Sequence, residues 1–568
     1  MLRAENHPQS ARPWLASYPP GQDSDIPEIT FRSIPELVAA TCAKFGDQPA
    51  FSNMGHALSF REVDVLSDRM AAFYQKELGL VPGDRIVIQL PNLLQFPVAM
   101  FGALKAGLVV VNANPLYTAH ELKSILVDSG AVAVVVLENF AVTLDQEIGG
   151  TDIRHVILTS VGDLLPLPQR AFTNFAVRYV KKMVPAHSLS GTISFRDALS
   201  RGAQLVFDAP SIAPEDLAFL QYTGGTTGGT KAAMLTHHNM LANQFQIMGP
   251  IRVALQEGAE TVIAALPLYH VFCLTVNCLG FFHFGAHNVL ITNPRETDAL
   301  IKTVTKYRPS VLILVSTLAA ALLDRPGFDS LDFGPLKLSV AGGMALRTQV
   351  AEEWERRTGS QMVEGYGLTE ASPVVSVNPT VGTARLGTIG LPLPSTYVEI
   401  RDDDDVAVPL GERGELVISG PQVMKGYWNK PEESAKAIGP DGWLHTGDVA
   451  IMDADGYVTI VDRMKDMIVV GGFNVYPAEV EEAVLSDPRV KEAGVIGVDD
   501  EHSGETVKLF VVRQDPSLTE ADIRGYLKDR LAGYKRPKYI VFRDELPKTN
   551  VGKILRRELR EPGDAASR

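Results

Sequence analysis

Short apolar runs recur from about residue 60 to residue 340, with helix-period polar segments between them. Arg85–Leu90, Ala131–Leu137, Val156–Leu158, Thr261–Leu266 and Val311–Val315 are too short for typical helices and rich in β-branched residues. Their alternation with amphipathic segments predicts an α/β fold with largely parallel sheets. From Gly387 to Val461 the texture changes to short alternating strands with turn signals at Asp402–Asp405, Pro409-Leu410-Gly411 and Asp455-Gly456. That predicts a β-rich subdomain, with the acidic run as a hairpin tip and no metal role. After Val461, charged residues precede a Gly-Gly turn, and a compact mixed pattern then reaches Leu559. The boundary between two bodies is expected near Lys465, and residues 561–568 read as a frayed tail.

Hydropathy excludes an obvious membrane span. Phe96–Val111 is interrupted by Lys105, and Val311–Leu323 is short and carries Ser316-Thr317, so both read as buried elements. Phe172–Val184 interleaves Phe175, Val177, Tyr179, Val180, Met183 and Val184 with Arg178, Lys181 and Lys182. It suits either a helix on an anionic membrane surface or a helix packed on the core with a basic edge.

At 568 residues the chain exceeds one ordinary core, so two or more domains are expected. A net charge of −14 gives no global signal for nucleic-acid binding. Three cysteines without C-x-x-C spacing fit free thiols in a reducing compartment. The opening MLRAENHPQSARPW has no apolar core for an export signal, so a cytoplasmic protein is expected, with peripheral contact on the inner membrane surface as an option.

The candidate chemistry begins at YTGGTTGGTK, Tyr222 to Lys231, directly after the apolar run 217–220. Glycines let backbone N–H groups approach an anion, while Thr223, Thr226, Thr227 and Lys231 add side-chain donors. ATP is the first ligand to suspect. A Walker A loop is disfavoured, because Thr230 rather than Gly precedes the lysine and Ala232 follows it. Further along, EGYGLTE offers Tyr366 as a surface for a purine and Glu370 as a hard oxygen donor for Mg²⁺. Asp448 in DGWLHTGD suits ribose hydroxyls, and Arg463 offers a planar fork for ribose or phosphate. Taken singly, each of these is as readily a turn, a surface ion pair or a solvated side chain.

Their order changes that reading. YTGGTTGGTK, ALPLYH, VAGGM, EGYGLTE, GYW, WLHTGD, DRMKD and PKTNVGK resemble, in sequence, the motifs of the acyl-adenylate-forming (AMP-binding) superfamily, from about residue 30 to 560. Within it, ITNPR, GLPLPST, GPQVMKGYW, GGFNVYP and KRPKYIVFRDELPK resemble the bacterial long-chain fatty-acid–CoA ligases. The resemblance implies a large N-terminal domain, 1–464, of parallel-sheet α/β subdomains plus a β-rich subdomain. It also implies a small mobile α+β domain, 465–568, swinging about Lys465. The implied reaction turns a fatty acid and MgATP into acyl-AMP and pyrophosphate, after which coenzyme A displaces AMP. The implied nucleotide set is Thr223, Gly224, Gly225, Thr226, Thr227, Gly228, Lys231, Gly342, Gly343, Tyr366, Gly367, Thr369, Asp448 and Arg463. Glu370 and Thr223 would hold Mg²⁺, and Lys553, Glu370, Thr223 and Lys231 would serve catalysis. His270 would shape the acyl entrance. Gly472 would border the pantetheine channel, where a side chain would obstruct the thiol.

The chain departs from the family at Thr230, commonly Pro, and at Ala232, commonly Gly. If Ala232 needed φ > 0, its methyl group would cost about 1 kcal/mol; Gly229 could make the turn instead. His270 stands where amino-acid-activating relatives commonly carry an aspartate, which favours an acid without a nearby amine. Leu274 stands where some long-chain relatives carry a tryptophan gate. Medium-chain or aryl acids, transfer to a carrier protein, a membrane-surface fatty-acid trap and, more remotely, a luciferase-like oxygenase stay open. So does the oligomeric state, a homodimer included.

Overall fold

A run such as Val134-Val135-Val136 has no polar face to offer water, and it lies fully buried in the middle of a sheet. The structure, a computed structural model, describes residues 12–223, 230–500, 503–549 and 552–560. All five apolar runs form strands: four are trimmed, to Arg85–Gln89, Ala133–Leu137, Thr261–Ala264 and Val311–Leu314, and Val156–Leu158 is lengthened to His155–Thr159.

The chain divides into two compact units. One comprises Tyr18–Tyr397 and Ser419–Gly442; the other comprises Met1–Ser17, Val398–Ile418 and Trp443–Arg568. The division groups the β-rich segment with the C-terminal part, so the proposed swing point at Lys465 falls inside a unit rather than between the two.

The larger unit holds two sheets. The seven-stranded one runs Ile193–Ser194, His155–Thr159, Ala133–Leu137, Arg85–Gln89, Val109–Asn112, Leu217–Thr223, Lys231–Thr236. It is parallel up to Leu217–Thr223, whose last neighbour, Lys231–Thr236, is antiparallel. The nine-stranded sheet has a parallel centre and antiparallel edges, and its strands Leu338–Gly342 and Met362–Gly367 lie side by side. Thr236 ends one strand and caps the next helix, His237–Ala254: its Oγ1 accepts from the Asn239 N–H, and Asn239 Oδ1 accepts from the Thr236 N–H.

The segment expected to choose between membrane and core forms a helix, Gln169–Phe175, continued by a wide turn, Ala176–Val180. None of its residues is buried, although Asn174 Oδ1 accepts from the Gly162 N–H and Arg178 pairs with Glu138. Phe172 is 74% exposed, Tyr179 62% and Val180 69%.

In the smaller unit, Tyr397–Arg401, Arg413–Ser419, Leu444–Met452 and Val458–Arg463 form the expected β-rich sheet. Asp402 and Val406 close the hairpin tip, where Asp402 Oδ1 accepts backbone N–H bonds from Asp404 and Val406. The C-terminal α+β part packs helices Pro477–Leu485 and Glu520–Lys528 on a sheet led by Val490–Asp500 and Gly504–Arg513.

Candidate active site

The strands on either side of the glycine-rich segment pair antiparallel at the sheet edge, with Thr223 opposite Lys231 and Tyr222 opposite Ala232. Gly224, Gly225, Thr226, Thr227 and Gly228 lie outside the described residues. The feared strain at Ala232 does not arise. Ala232 is a fully buried strand residue, absent from the non-glycine positions with positive φ, and its methyl packs with Tyr222 and Trp428. The Tyr222 hydroxyl donates to Asp128 Oδ2 at 2.7 Å, and the Trp428 indole donates to the Asp128 carbonyl at 3.0 Å, so the hairpin base is anchored from below.

The segment GPQVMKGYW, whose resemblance carried no residue role in the sequence, joins the two sheets. Asn239 Nδ2 donates to the carbonyls of Pro421 and Val423, which fastens the start of this segment. The chain then runs beside Lys231–Thr236 through bonds from Met234 to Gly426, Lys425 to Met234 and Trp428 to Ala232. The Met424 N–H donates to the Glu370 carbonyl at 2.8 Å, which ties in the turn after Met362–Gly367. Tyr427 is therefore central. Its hydroxyl donates to Glu370 Oε1 at 2.8 Å, and the Lys231 ammonium lies 5.2 Å from its ring centre. Burial, the Glu370 charge and the hydrogen bond all push the Tyr427 pKa upward, so it stays a donor. Lys231 Nζ also lies 2.5 Å from Glu433 Oε2, whose pKa is held down at about 2 by Lys231 and then Lys436. The fold thus brings Thr223, Lys231 and Glu370 into one cluster.

The glycines beside them are tightly placed. A Cβ on Gly342 would come 2.9 Å from the Phe272 ring, and one on Gly367 2.2 Å from the Pro373 carbonyl oxygen. Gly343 has φ +78°, a left-handed turn that favours glycine. Tyr366 and Thr369 follow on the same strand and its turn. His270 caps the turn that carries Phe272, its Nδ1 accepting from the Phe272 N–H at 3.3 Å. Burial lowers the His270 pKa to about 4, so its ring is neutral at pH 7. Sequence reasoning passed over Glu364, which begins EGYGLTE. Its Oε1 accepts from the Leu346 N–H, and burial outweighs that bond and pushes its pKa up to about 8.

In the smaller unit, Asp448 and Arg463 face each other across paired strands, with Arg463 Nε 3.2 Å from Asp448 Oδ1. Asp448 is only 5% exposed. Lys553 feels the charges of both members of this pair. Crowding by surrounding protein and then the Arg463 charge lower its pKa to about 8, while Asp448 opposes them, although the residue as a whole counts as exposed. Arg556 binds Asp462 at 3.4 Å, Asp466 at 2.9 Å and Glu481 at 3.0 Å, spanning both sides of Lys465. Lys465 itself lies in a single exposed turn, Met464–Asp466. Gly472 has φ +86° and open space around a would-be Cβ, so backbone conformation alone accounts for glycine there.

Tyr427, Glu433, Asp128 and Arg556 were not singled out from the sequence. Tyr427 carried a signal, as the aromatic of GYW; a carboxylate such as Glu433 looks like any helix-start acid. Among the described residues, no three His, Cys, Asp or Glu side chains form a metal-holding group. Glu370 fits Mg²⁺ as a single hard oxygen donor, the usual number when substrate phosphates supply the rest.

Residues 38–428 match the family described as AMP-binding enzyme, and residues 479–553 match the AMP-binding enzyme C-terminal domain. The chain is 51% identical to a long-chain-fatty-acid–CoA ligase of Escherichia coli O6:H1, over 96% of this chain and 98% of that one. It is 39% identical to a Bacillus subtilis protein of the same name, over 97% and 98%. Among solved structures, a benzoate CoA ligase from Burkholderia xenovorans superposes with a TM-score of 0.80 at 26% identity, covering 94% of this chain and all of that one (100%).

Proposed function

The chain belongs to the AMP-binding enzyme family, and from that premise we propose that it activates long-chain fatty acids, forming acyl-AMP and pyrophosphate from ATP and then acyl-CoA and AMP. It is an AMP-forming ligase with fatty acid, ATP and coenzyme A as substrates. The observation that carries this reading is the convergence of Lys231 and Glu370 on Tyr427 at the base of the Thr223–Lys231 hairpin. A carboxylate attacking an α-phosphate meets like-charge repulsion, so the protein must supply positive charge and donors where the phosphate oxygens gain charge. Lys231 supplies an ammonium there and Thr223 a hydroxyl. Tyr427 fixes the orientation of Glu370. Glu370 and Thr223 would hold Mg²⁺, which would supply charge neutralisation at the phosphate oxygens. The fatty acid is already ionised at neutral pH and needs no general base. His270, neutral and half-buried, suits the approach to an acyl chain better than a charged group would.

Gly342, Gly343, Tyr366, Gly367 and Thr369 form the adenine and sugar side of the reading, with Asp448 and Arg463 for the ribose. Lys553 serves the first half-reaction. A change of pose about Lys465 serves the second, with Gly472 beside the thiol path. Peripheral membrane contact is part of the same proposal. It is supported by the exposed Phe172, Phe175, Tyr179 and Val180, with Arg170, Lys181 and Lys182 among them and no acid between Gln169 and Met183.

The test is acyl-CoA formation with ATP, Mg²⁺ and CoA across saturated acids from acetate to stearate. Turnover rising to a maximum at long chains supports the proposal. A maximum at aryl or short acids would redirect the substrate class, and acyl-AMP without thioester would favour a carrier-protein acceptor.

A further inference from the structure

The ion pair between Lys231 and Glu433 is unequal in a way that bears on the phosphate cycle. Glu433 has a second cation of its own: its Oε1 lies 3.1 Å from Lys436 Nζ, while Oε2 lies 2.5 Å from Lys231. The Glu433 side chain is 35% exposed and that of Lys231 24%, so water can reach the carboxylate. The Lys231 ammonium also rests over the Tyr427 ring, whose hydroxyl is bonded to Glu370. Taking Lys231 away would leave Glu433 with Lys436 and water, so the exchange has a low cost. A triphosphate brings several negative charges to the hairpin, and a single half-exposed carboxylate competes poorly with it.

Resting on the triphosphate reading of this hairpin, we propose that Glu433 is a displaceable counter-ion for Lys231. It holds the ammonium against the Tyr427 ring between turnovers, yields it when ATP enters, and takes it back as pyrophosphate leaves. Glu433 is a positioning residue on this account, acting on the polyphosphate only through Lys231. The consequence is a lowered affinity for polyphosphate: a lysine with no internal competitor would bind ATP more tightly and would also retain pyrophosphate.

The test is a double-mutant cycle on the full chain. ATP and pyrophosphate affinities are measured by calorimetry in Mg²⁺ buffer, alongside KM for ATP, kcat, pyrophosphate inhibition and melting temperature. Glu433→Gln keeps the shape and removes the charge. It is expected to tighten both ligands by about threefold to fivefold, the scale of a partly exposed pair, and to lower KM for ATP with no matching rise in kcat. Glu433→Asp restores the charge and should move both values back toward wild type. In a Lys231→Met background, Glu433→Gln should have no effect on either ligand. Unchanged or weakened pyrophosphate binding in Glu433→Gln with a wild-type melting temperature overturns the proposal. So does equal tightening in the Lys231→Met background, which would make Glu433 a general repulsive charge. If Lys231→Met alone leaves ATP and pyrophosphate affinities intact, the hairpin reading itself fails, independently of Glu433.

Discussion

Lys553 gives the most decisive pH prediction. Surrounding protein and Arg463 lower its pKa to about 8. The ammonium is therefore about nine-tenths charged at pH 7 and about one-tenth charged at pH 9, each pH unit past the pKa being a factor of ten. If Lys553 stabilises charge on the α-phosphate, only its protonated form works. The kcat/KM for ATP, which reports the free enzyme, should then fall about tenfold between pH 7 and pH 9. The assay is pyrophosphate release in the adenylation half-reaction with CoA omitted, so that ionisation of the CoA thiol cannot mask the decline. Lys553→Arg, whose guanidinium stays charged across this range, should be slower at pH 7 but flat to pH 9. Lys553→Ala should lose about a hundredfold to a thousandfold in adenylation, the scale of one removed charge-stabilising donor, while capture of preformed acyl-AMP by CoA is largely retained. A wild-type profile flat to pH 9, an equal decline in Lys553→Arg, or equal loss of both half-reactions in Lys553→Ala would refute the assignment.

Three further outcomes follow from the geometry. Glu364 has a folded pKa of about 8, above its ordinary 4.5, so its contribution to stability is intact below the ordinary value and lost as pH rises toward 8. Glu364→Gln should therefore gain on wild type with pH, by roughly 3 kcal/mol at pH 7, read as a melting-temperature gap that widens from pH 5 to pH 8.5; a constant gap would contradict the buried-acid account. Ala232→Gly restores the usual family residue, but in a buried extended strand it should cost about 1 kcal/mol without raising turnover; faster adenylation in this variant would mean that the loop does need φ > 0 there. Gly367→Ala places a Cβ 2.2 Å from the Pro373 carbonyl oxygen. It should destabilise by about 1–3 kcal/mol or more in chemical denaturation, and wild-type stability would show that the turn relaxes freely.

The parallel sheets were legible because strands buried on both faces must be continuously apolar, as Ala133–Leu137 and Val311–Leu314 are. The hairpin was half legible. An apolar run followed by glycines and a lysine marked the loop, but periodicity could not tell that Lys231–Thr236 turns back as an antiparallel edge strand. That pairing is what makes Ala232 harmless. Tyr427, Glu370 and Lys231 stand far apart in sequence and meet only because Asn239 fastens the start of the 421–428 segment and backbone bonds carry it along the sheet edge. Such long-range hydrogen bonding leaves no local pattern. The segment Phe172–Val184 shows the same limit from the other side. Its amphipathic composition fitted core and membrane equally, and which of its rings stand exposed could be read only from the folded chain.

The central claim is a two-step reaction through a bound acyl-adenylate. The most direct test mixes the protein with palmitate, Mg²⁺ and α-labelled ATP without CoA, follows pyrophosphate and labelled acyl-AMP in a single turnover, and then adds CoA. A burst of pyrophosphate stoichiometric with protein and with acyl-AMP, followed on CoA addition by equal amounts of palmitoyl-CoA and AMP, is the result this account predicts. Thioester formed with ADP and inorganic phosphate, or with no labelled adenylate before CoA is added, would contradict it.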